Sequence, residues 1–247
     1  MKDTSWLTSV PIAHRGLHDN KTLPENSMGA FENAVSHGYG IEFDVYLTLD
    51  GKLIIHHDMT LKRSCGKKIK AYKINSDRLQ DYKLMNTQYS IPLLSDLLNL
   101  VQGKVPLILE IKATNRVKST CSAVYEAIKD YPGNICIESF DNRIVDWWHN
   151  NHPEYVLGQL YSTINFYRAI QRRLEQYRKV DFLAVGVKNL KEEYFRSVKA
   201  QCPDKLIINW TVRTNEQLQD ALEYADNYIF ESNIKSDEYI TPPSLTH

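Results

Sequence analysis

Across 247 residues there is no apolar run long enough to cross a membrane and no net charge, since 30 Lys and Arg balance 30 Asp and Glu. A bilayer-spanning helix needs roughly 18–20 successive apolar residues, whereas even Val105 to Ile111 is broken by Pro106 and Glu110. A neutral chain sets up no field to draw a polyanion, so neither nucleic acid nor a membrane span is expected. Met1 to Val10 carry Lys2, Asp3 and Trp6 where a secretory signal would hold an apolar core. Cys65, Cys121, Cys136 and Cys202 are too scattered for a zinc knuckle or a dithiol pair, and read as free thiols of a cytoplasmic protein. Glycine numbers only 10. After the first apolar run come His14, Arg15, Gly16, Leu17, His18 and Asp19, which excludes a dinucleotide fingerprint and a nucleotide-binding P-loop.

What is present is alternation. Short apolar runs recur at Val10 to Ala13, Ile41 to Val45, Leu53 to Ile55, Leu107 to Ile111, Ile135 to Ile137, Tyr155 to Leu160, Phe182 to Val185, Leu206 to Trp210 and Tyr228 to Phe230. Between them, helical spacing predicts helices over Ser27 to His37, Val117 to Tyr131, Asn142 to Asn151, Asn165 to Lys179, Lys191 to Ala200 and Asn215 to Tyr224. Strands that alternate with helices argue for parallel pairing beneath a helical layer. The length and near-eight strand count favour one domain over residues 1–247, an α/β fold of the TIM-type (β/α)8 barrel class, over an open doubly wound sheet. Residues 59–91, with Lys62, Arg63, Lys67, Lys68, Lys70 and Lys73, interrupt the pattern and read as a loop excursion on the barrel top, its lysines a solvated face.

The chemistry-bearing residues gather at predicted strand ends. Side chains two apart on a strand share a face, so Ile41, Phe43 and Val45 would face the helices while Glu42 and Asp44 face the interior, joined by Glu110 and Lys112 from the next run. Buried carboxylates need cations. Three of them suit a hard ion such as Mg²⁺ or Ca²⁺, which takes oxygen ligands, and an ion-pair network with Lys112 and Arg15 is the alternative. His14 and His57, at the ends of their runs, sit where barrel enzymes place proton-handling groups. His56, one step away, points to the other face and reads as structural. Arg15 could fork onto a phosphate or pair with an acid. Thr22 and Glu25 fit a capping box, Asn26 a helix cap, and Glu25 could instead support the site from behind. Trp210 and Phe140 offer aromatic faces for a substrate's carbon skeleton.

Taken in order, His14-Arg15-Gly16, Pro24-Glu25-Asn26-Ser27 with Phe31 and Ala34, Glu42 and Asp44 with Val45, Thr48, Asp50 and Gly51, His57-Asp58 with Leu61 and Arg63, Ile91-Pro92 with Leu94, Glu110-Ile111-Lys112, Ser139-Phe140 and Trp210-Thr211-Val212 resemble the glycerophosphodiester phosphodiesterase family over nearly the whole chain. The resemblance implies a phosphatidylinositol-phosphodiesterase-like barrel that cleaves a small-molecule glycerophosphodiester into glycerol 3-phosphate and an alcohol. It implies one divalent cation on Glu42, Asp44 and Glu110, acid/base work by His14 and His57, Arg15 and Lys112 near the phosphate, and Trp210 near the glycerol. A lysophospholipase D or sphingomyelinase-like activity on lipids is the alternative, and a catalytically silent phosphate-binding barrel a third reading. Two departures stand out. Many members carry Asn where this chain has Arg213, and close the last strand with Thr and Asp where it has Glu231 and Ser232.

Overall fold

A computed structural model describes residues 2–161 and 175–231. The fold class is the expected one, a TIM-type barrel of eight strands with helices, and a ninth strand is added to it. The chain divides into two compact units, residues 13–135 and residues 1–12 with 136–247.

The first unit begins at the end of β1 (Ile12–His14) and contains β2 (Gly40–Leu47), β3 (Leu53–Ile55) and β4 (Leu107–Ile111). Every residue of β2 is buried, which is why its two faces differ so sharply in character. Phe43 meets Phe31 of the helix Met28–Ser36 edge-on at 6.3 Å, so the apolar face does look to the helical layer and Glu42 and Asp44 lie on the other. β2 and β4 run parallel in a register that pairs Glu42 with Ile108 and Asp44 with Glu110.

β3 corrects the sequence reading. It pairs antiparallel with β2, Val45 opposite Ile55 and Leu47 opposite Leu53, so it is the return arm of a hairpin and not one of the parallel strands. The turn at Leu49, Asp50, Gly51 explains this: Gly51 takes φ +80°, and five residues between strands are too few for a parallel crossover. The excursion over 59–91 is also more ordered than a loop. It forms a short helix at Lys62–Cys65 and 3-10 turns at Ala71–Lys73, Ser76–Asp81 and Leu84–Asn86. Leu61, Ala71, Ile74, Leu79, Tyr82, Leu84 and Ile91 pack there with Tyr46 and Ile54 as a small core of their own. Lys62, Lys67, Lys68, Lys70 and Lys73 are exposed, as expected. A helix at Leu94–Val101 stands where none is expected; Leu94, Leu97 and Val101 bury one stripe, and Asp96 accepts from the Leu93 N–H at 3.2 Å.

The second unit contains β5 (Ile135–Ser139) from Cys136 onward, β6 (Leu157–Tyr161), β7 (Phe182–Gly186), β8 (Leu206–Val212) and β9 (Asn227–Phe230). Each pairs with the next in parallel. The helices Asn142–Asn151 and Asn215–Tyr224 match their predicted bounds, and Glu193–Gln201 is shifted slightly. Most of the helix expected over Asn165 to Lys179 lies outside the described residues. Cys121, Cys136 and Cys202 are buried free thiols and Cys65 is half-buried. Among the described residues no helix is long and apolar enough to cross a membrane.

One glycine is required by position. Gly16 takes φ +80°, and a Cβ there would stand 2.9 Å from the backbone C and O of Ala30, because the loop after β1 rests directly on the helix Met28–Ser36. Gly16→Ala therefore combines left-handed backbone strain with overpacking, each about 1–3 kcal/mol. Urea unfolding of this variant should show a loss of about 2–4 kcal/mol; a loss within about 0.5 kcal/mol, the usual scatter of surface changes, would mean that the loop relaxes freely.

Candidate active site

The first unit gathers the acidic face of β2, the ends of β1 and β4 and the hairpin return into one buried cluster. Glu42, Asp44 and Glu110 each offer a carboxylate oxygen within 4.8 Å of the others, and all three are buried. Lys112, one residue past β4, sets its ammonium 2.6 Å from Asp44 Oδ1 and 2.7 Å from Glu110 Oε2. Arg15 donates its backbone N–H to Glu42 Oε2 at 3.1 Å and places Nε 3.5 Å from Asp44 Oδ2. His14 Nε2 stands 3.8 Å from Glu42 Oε2. All of these are sequence-predicted site residues, and the geometry brings them together.

The electrostatics show one charge too many. Burial works against ionisation of Asp44, but Lys112 and then Arg15 overcome it and hold its carboxyl well below the usual range. Glu110 goes the other way: burial first, then the Asp44 charge, push it up to about 7 despite Lys112. Two cations, one of them shared with Glu25, do not neutralise three converging acids. Lys112 is itself held cationic by Asp44 and Glu110 against the cost of burial.

Asn26 was expected as a helix cap and is not one. Ser27 caps the helix Met28–Ser36 by accepting from the Ala30 N–H at 3.2 Å, and Asn26, at φ +56°, donates Nδ2–H to Asp44 Oδ2 at 2.8 Å. Its backbone N–H donates to the Arg15 carbonyl at 2.9 Å, and Arg15 too has φ +56°. Two left-handed residues held against each other beside the acids are strain of the kind that accumulates at functional sites. Asn26 Oδ1 is buried and, among the described residues, has no hydrogen-bond partner. The expected Thr22–Glu25 capping box does not form either. Thr22 donates to Asp19 Oδ2, and the Glu25 carboxylate is taken by two guanidinium groups.

The three acids could hold a metal ion. Oxygens on opposite sides of a Ca²⁺ stand up to about 5 Å apart and those of a Mg²⁺ about 4 Å, so a 4.8 Å spread lies within a Ca²⁺ coordination sphere and would have to contract around Mg²⁺. The all-oxygen donor set and the orphaned Asn26 oxygen both fit a hard cation.

His57 enters from the hairpin return rather than from a parallel strand end, because β3 is antiparallel. Its Nδ1 lies 2.7 Å from Asp58 Oδ1. Burial, helped by Lys112 and Arg15, lowers its pKa below the ordinary imidazole value against the pull of Asp44 and Asp58. His56 is structural, as expected: Nδ1 pairs with the Asp58 carbonyl at 2.8 Å and Nε2 with Ser64 Oγ at 2.7 Å. Glu25 accepts from Arg15 Nη1 at 2.8 Å. Its second partner is Arg63, which the resemblance groups with His57, Asp58 and Leu61 without a role.

Glu25 and Asp58 are each held down at about 2, Glu25 against burial by Arg63 and then Arg15, Asp58 against burial by Arg63 and then His57. For Glu25 the folded value lies below the unfolded one near 4.5, so its stabilisation is complete above that pH and is lost as pH falls towards about 2. The size is on the order of 3 kcal/mol for this nearly buried side chain. Glu25→Gln should therefore be less stable than the wild type by about that amount at pH 6, with the gap narrowing by about half on acidification to pH 3 and closing only below the folded value near 2. Urea midpoints across that range check it, and a pH-independent gap would show that the carboxylate charge is not what Arg15 and Arg63 hold.

Trp210 and Phe140 belong to the second unit, where their rings meet edge-on at 5.7 Å, Trp210 half-buried and Phe140 42% exposed. The two departures noted in the sequence are linked there. Arg213 forks onto Glu231, Nε to Oε2 at 2.7 Å and Nη2 to Oε1 at 2.8 Å, while Ser232 lies outside the described residues.

The chain is similar to known proteins. A glycerophosphodiester phosphodiesterase of Bacillus altitudinis is 33% identical over 161 residues, which cover 60% of this chain and 65% of that relative. The chain thus spans less than two thirds of that relative's length, and a matched segment at 48% identity covers only 24% of a Caldanaerobacter subterraneus glycerophosphodiester phosphodiesterase. The crystal structure of a glycerophosphodiester phosphodiesterase from Thermotoga maritima has a TM-score of 0.74 at 27% identity, covering 90% of this chain and 94% of that one. A phosphodiesterase from Oleispira antarctica, solved with the product sn-glycerol-3-phosphate, has a TM-score of 0.76 over 91% and 93% of the two chains, and at 23% identity it bears on the fold alone. Residues 14–231 match the glycerophosphoryl diester phosphodiesterase family, a span that opens on His14 and takes in every acid, histidine and cation of the cluster, and to that family the chain belongs.

Proposed function

We propose that this chain hydrolyses glycerophosphodiesters to glycerol 3-phosphate and an alcohol with the help of one divalent cation, Mg²⁺ or Ca²⁺. The observation that carries the reading is the buried triad Glu42, Asp44 and Glu110, with oxygens within 4.8 Å, in a chain of this family.

Glu42, Asp44 and Glu110 would hold the ion, which when bound supplies Lewis-acid stabilisation of phosphoryl oxygens and of an activated hydroxyl. Arg15 and Lys112, held cationic beside the acids, offset the negative charge that builds on phosphorus during attack. His14 and His57 divide the proton work: one takes a proton from the attacking hydroxyl and the other gives one to the departing alcohol oxygen. With Nδ1 engaged by Asp58, His57 presents Nε2 for that task.

Purified chain incubated with glycerophosphocholine or glycerophosphoethanolamine and each cation should release glycerol 3-phosphate. Lysophosphatidylcholine, offered in parallel, tests the lipid alternative. Turnover of the lysolipid with none of the soluble diesters would overturn the substrate assignment.

A further inference from the structure

Arg63 is the residue that joins the two ends of the cluster. It stands on the short helix Lys62–Cys65 of the 59–91 excursion and reaches back across 38 residues to Glu25. Nη1 donates to Glu25 Oε2 at 2.8 Å and Nη2 to Glu25 Oε1 at 2.6 Å, while Nε donates to Asp58 Oδ2 at 2.7 Å and Nη2 to Asp58 Oδ1 at 3.1 Å. Glu25 in turn accepts from Arg15 Nη1 at 2.8 Å, and Asp58 engages His57 Nδ1 at 2.7 Å. One guanidinium thus grips two carboxylates at once, each of which sets a residue that handles the phosphate or its proton.

We infer that Arg63 is a positioning residue of the hydrolysis, acting through Asp58 to fix the His57 ring and through Glu25 to fix the Arg15 fork; the inference rests on the function proposed above. The geometry suits the task. A planar fork can offer parallel donors to two carboxylates, which a lysine ammonium cannot reproduce. Arg63 is 46% exposed, and beyond the stability it lends the buried Glu25 carboxylate, what its pairs supply is orientation. Asp58, with a side chain 25% exposed and next to His57 in sequence, has rotamers other than the one observed, and Arg63 selects among them. Supporting groups of this kind that orient a histidine typically matter by 10- to 100-fold. The small core of the excursion, anchored on Tyr46 and Ile54, gives the helix that carries Arg63 a rigid seat.

The test is a double-mutant cycle in kcat for glycerophosphocholine hydrolysis with Arg63→Met, Asp58→Asn and the pair, alongside Arg63→Lys and 1H–15N spectra of the histidine rings, His57 being assigned with His57→Gln. Circular dichroism at the assay temperature confirms that each variant is folded, and Arg63→Lys stands in if Arg63→Met is not. The expected result is a kcat loss of about 10- to 100-fold in Arg63→Met, with less than threefold further loss when Arg63→Met is added to Asp58→Asn. Arg63→Lys should stay well below the wild type, added guanidinium should restore part of the Arg63→Met activity, and the His57 Nδ1–H signal should weaken in both Arg63→Met and Asp58→Asn. A kcat within threefold of wild type in Arg63→Met, or a full multiplicative loss in the double variant, would overturn the inference. If the wild type itself fails to turn over any glycerophosphodiester, the proposed function falls. The ring spectra then decide the clamp by themselves: an unchanged His57 signal in Arg63→Met refutes it, and a lost one upholds the positioning.

Discussion

Asp44→Asn should lower kcat by about 10³ or more, and exhaustive chelation of the wild type with dialysis should abolish turnover until Mg²⁺ or Ca²⁺ is returned. Asp44 is the centre of the cluster, in contact with Lys112, Arg15 and Asn26 and paired across the sheet with Glu110. Replacing its carboxylate by an amide removes one negative charge from the triad, so cation affinity measured by calorimetry should fall together with kcat. A buried cation that loses its partner is costly, so the variant should also lose a few kcal/mol of stability. Both measurements are therefore made below its unfolding temperature. An Asp44→Asn enzyme within tenfold of wild-type kcat, or a wild type fully active after chelation, would remove the ion from the reaction.

His57→Ala, and separately His14→Ala, should each lower kcat by about 10² to 10⁴. The two histidines reach the cluster by different routes, His14 at the end of β1 and His57 on the hairpin return, yet each stands beside a carboxylate, Glu42 at 3.8 Å and Asp58 at 2.7 Å. Because burial lowers the His57 pKa, its ring is largely neutral at pH 7 and can accept a proton there. The rate profile should be bell-shaped, with two apparent pKa values that belong to the histidine pair as a whole. A loss under threefold in either variant would exclude that histidine from proton transfer. A flat profile from pH 5 to 9, with chemistry rate-limiting, would exclude both.

The acids of the site were legible because strand periodicity is local. Glu42 and Asp44 had to share a face once Ile41, Phe43 and Val45 were seen to share the other, and β4 repeated the logic with Glu110. The direction of β3 was legible as well, because the Asp50-Gly51 turn leaves too little chain between the two runs for a parallel crossover. Asn26 was read as a cap because its neighbour Ser27 is equally good at that job, and only the approach of Asp44 from 18 residues away distinguishes them. The helix Leu94–Val101 was legible too, since Leu94, Leu97, Leu98 and Val101 recur at helical spacing. Arg63 looked like one more cation in a solvated stretch until the excursion folded back onto Glu25.

Residue chemistry, the alternation of strand and helix and the face on which each acid lies were settled by the sequence alone, because each depends on neighbours within a few positions along the chain. Which carboxylate meets which cation, and that one guanidinium holds Glu25 and Asp58 together, were decided by tertiary structure. Hydrogen bonds and ion pairs act over a few ångströms, and only the folded chain brings residues 18, 38 or 68 positions apart that close.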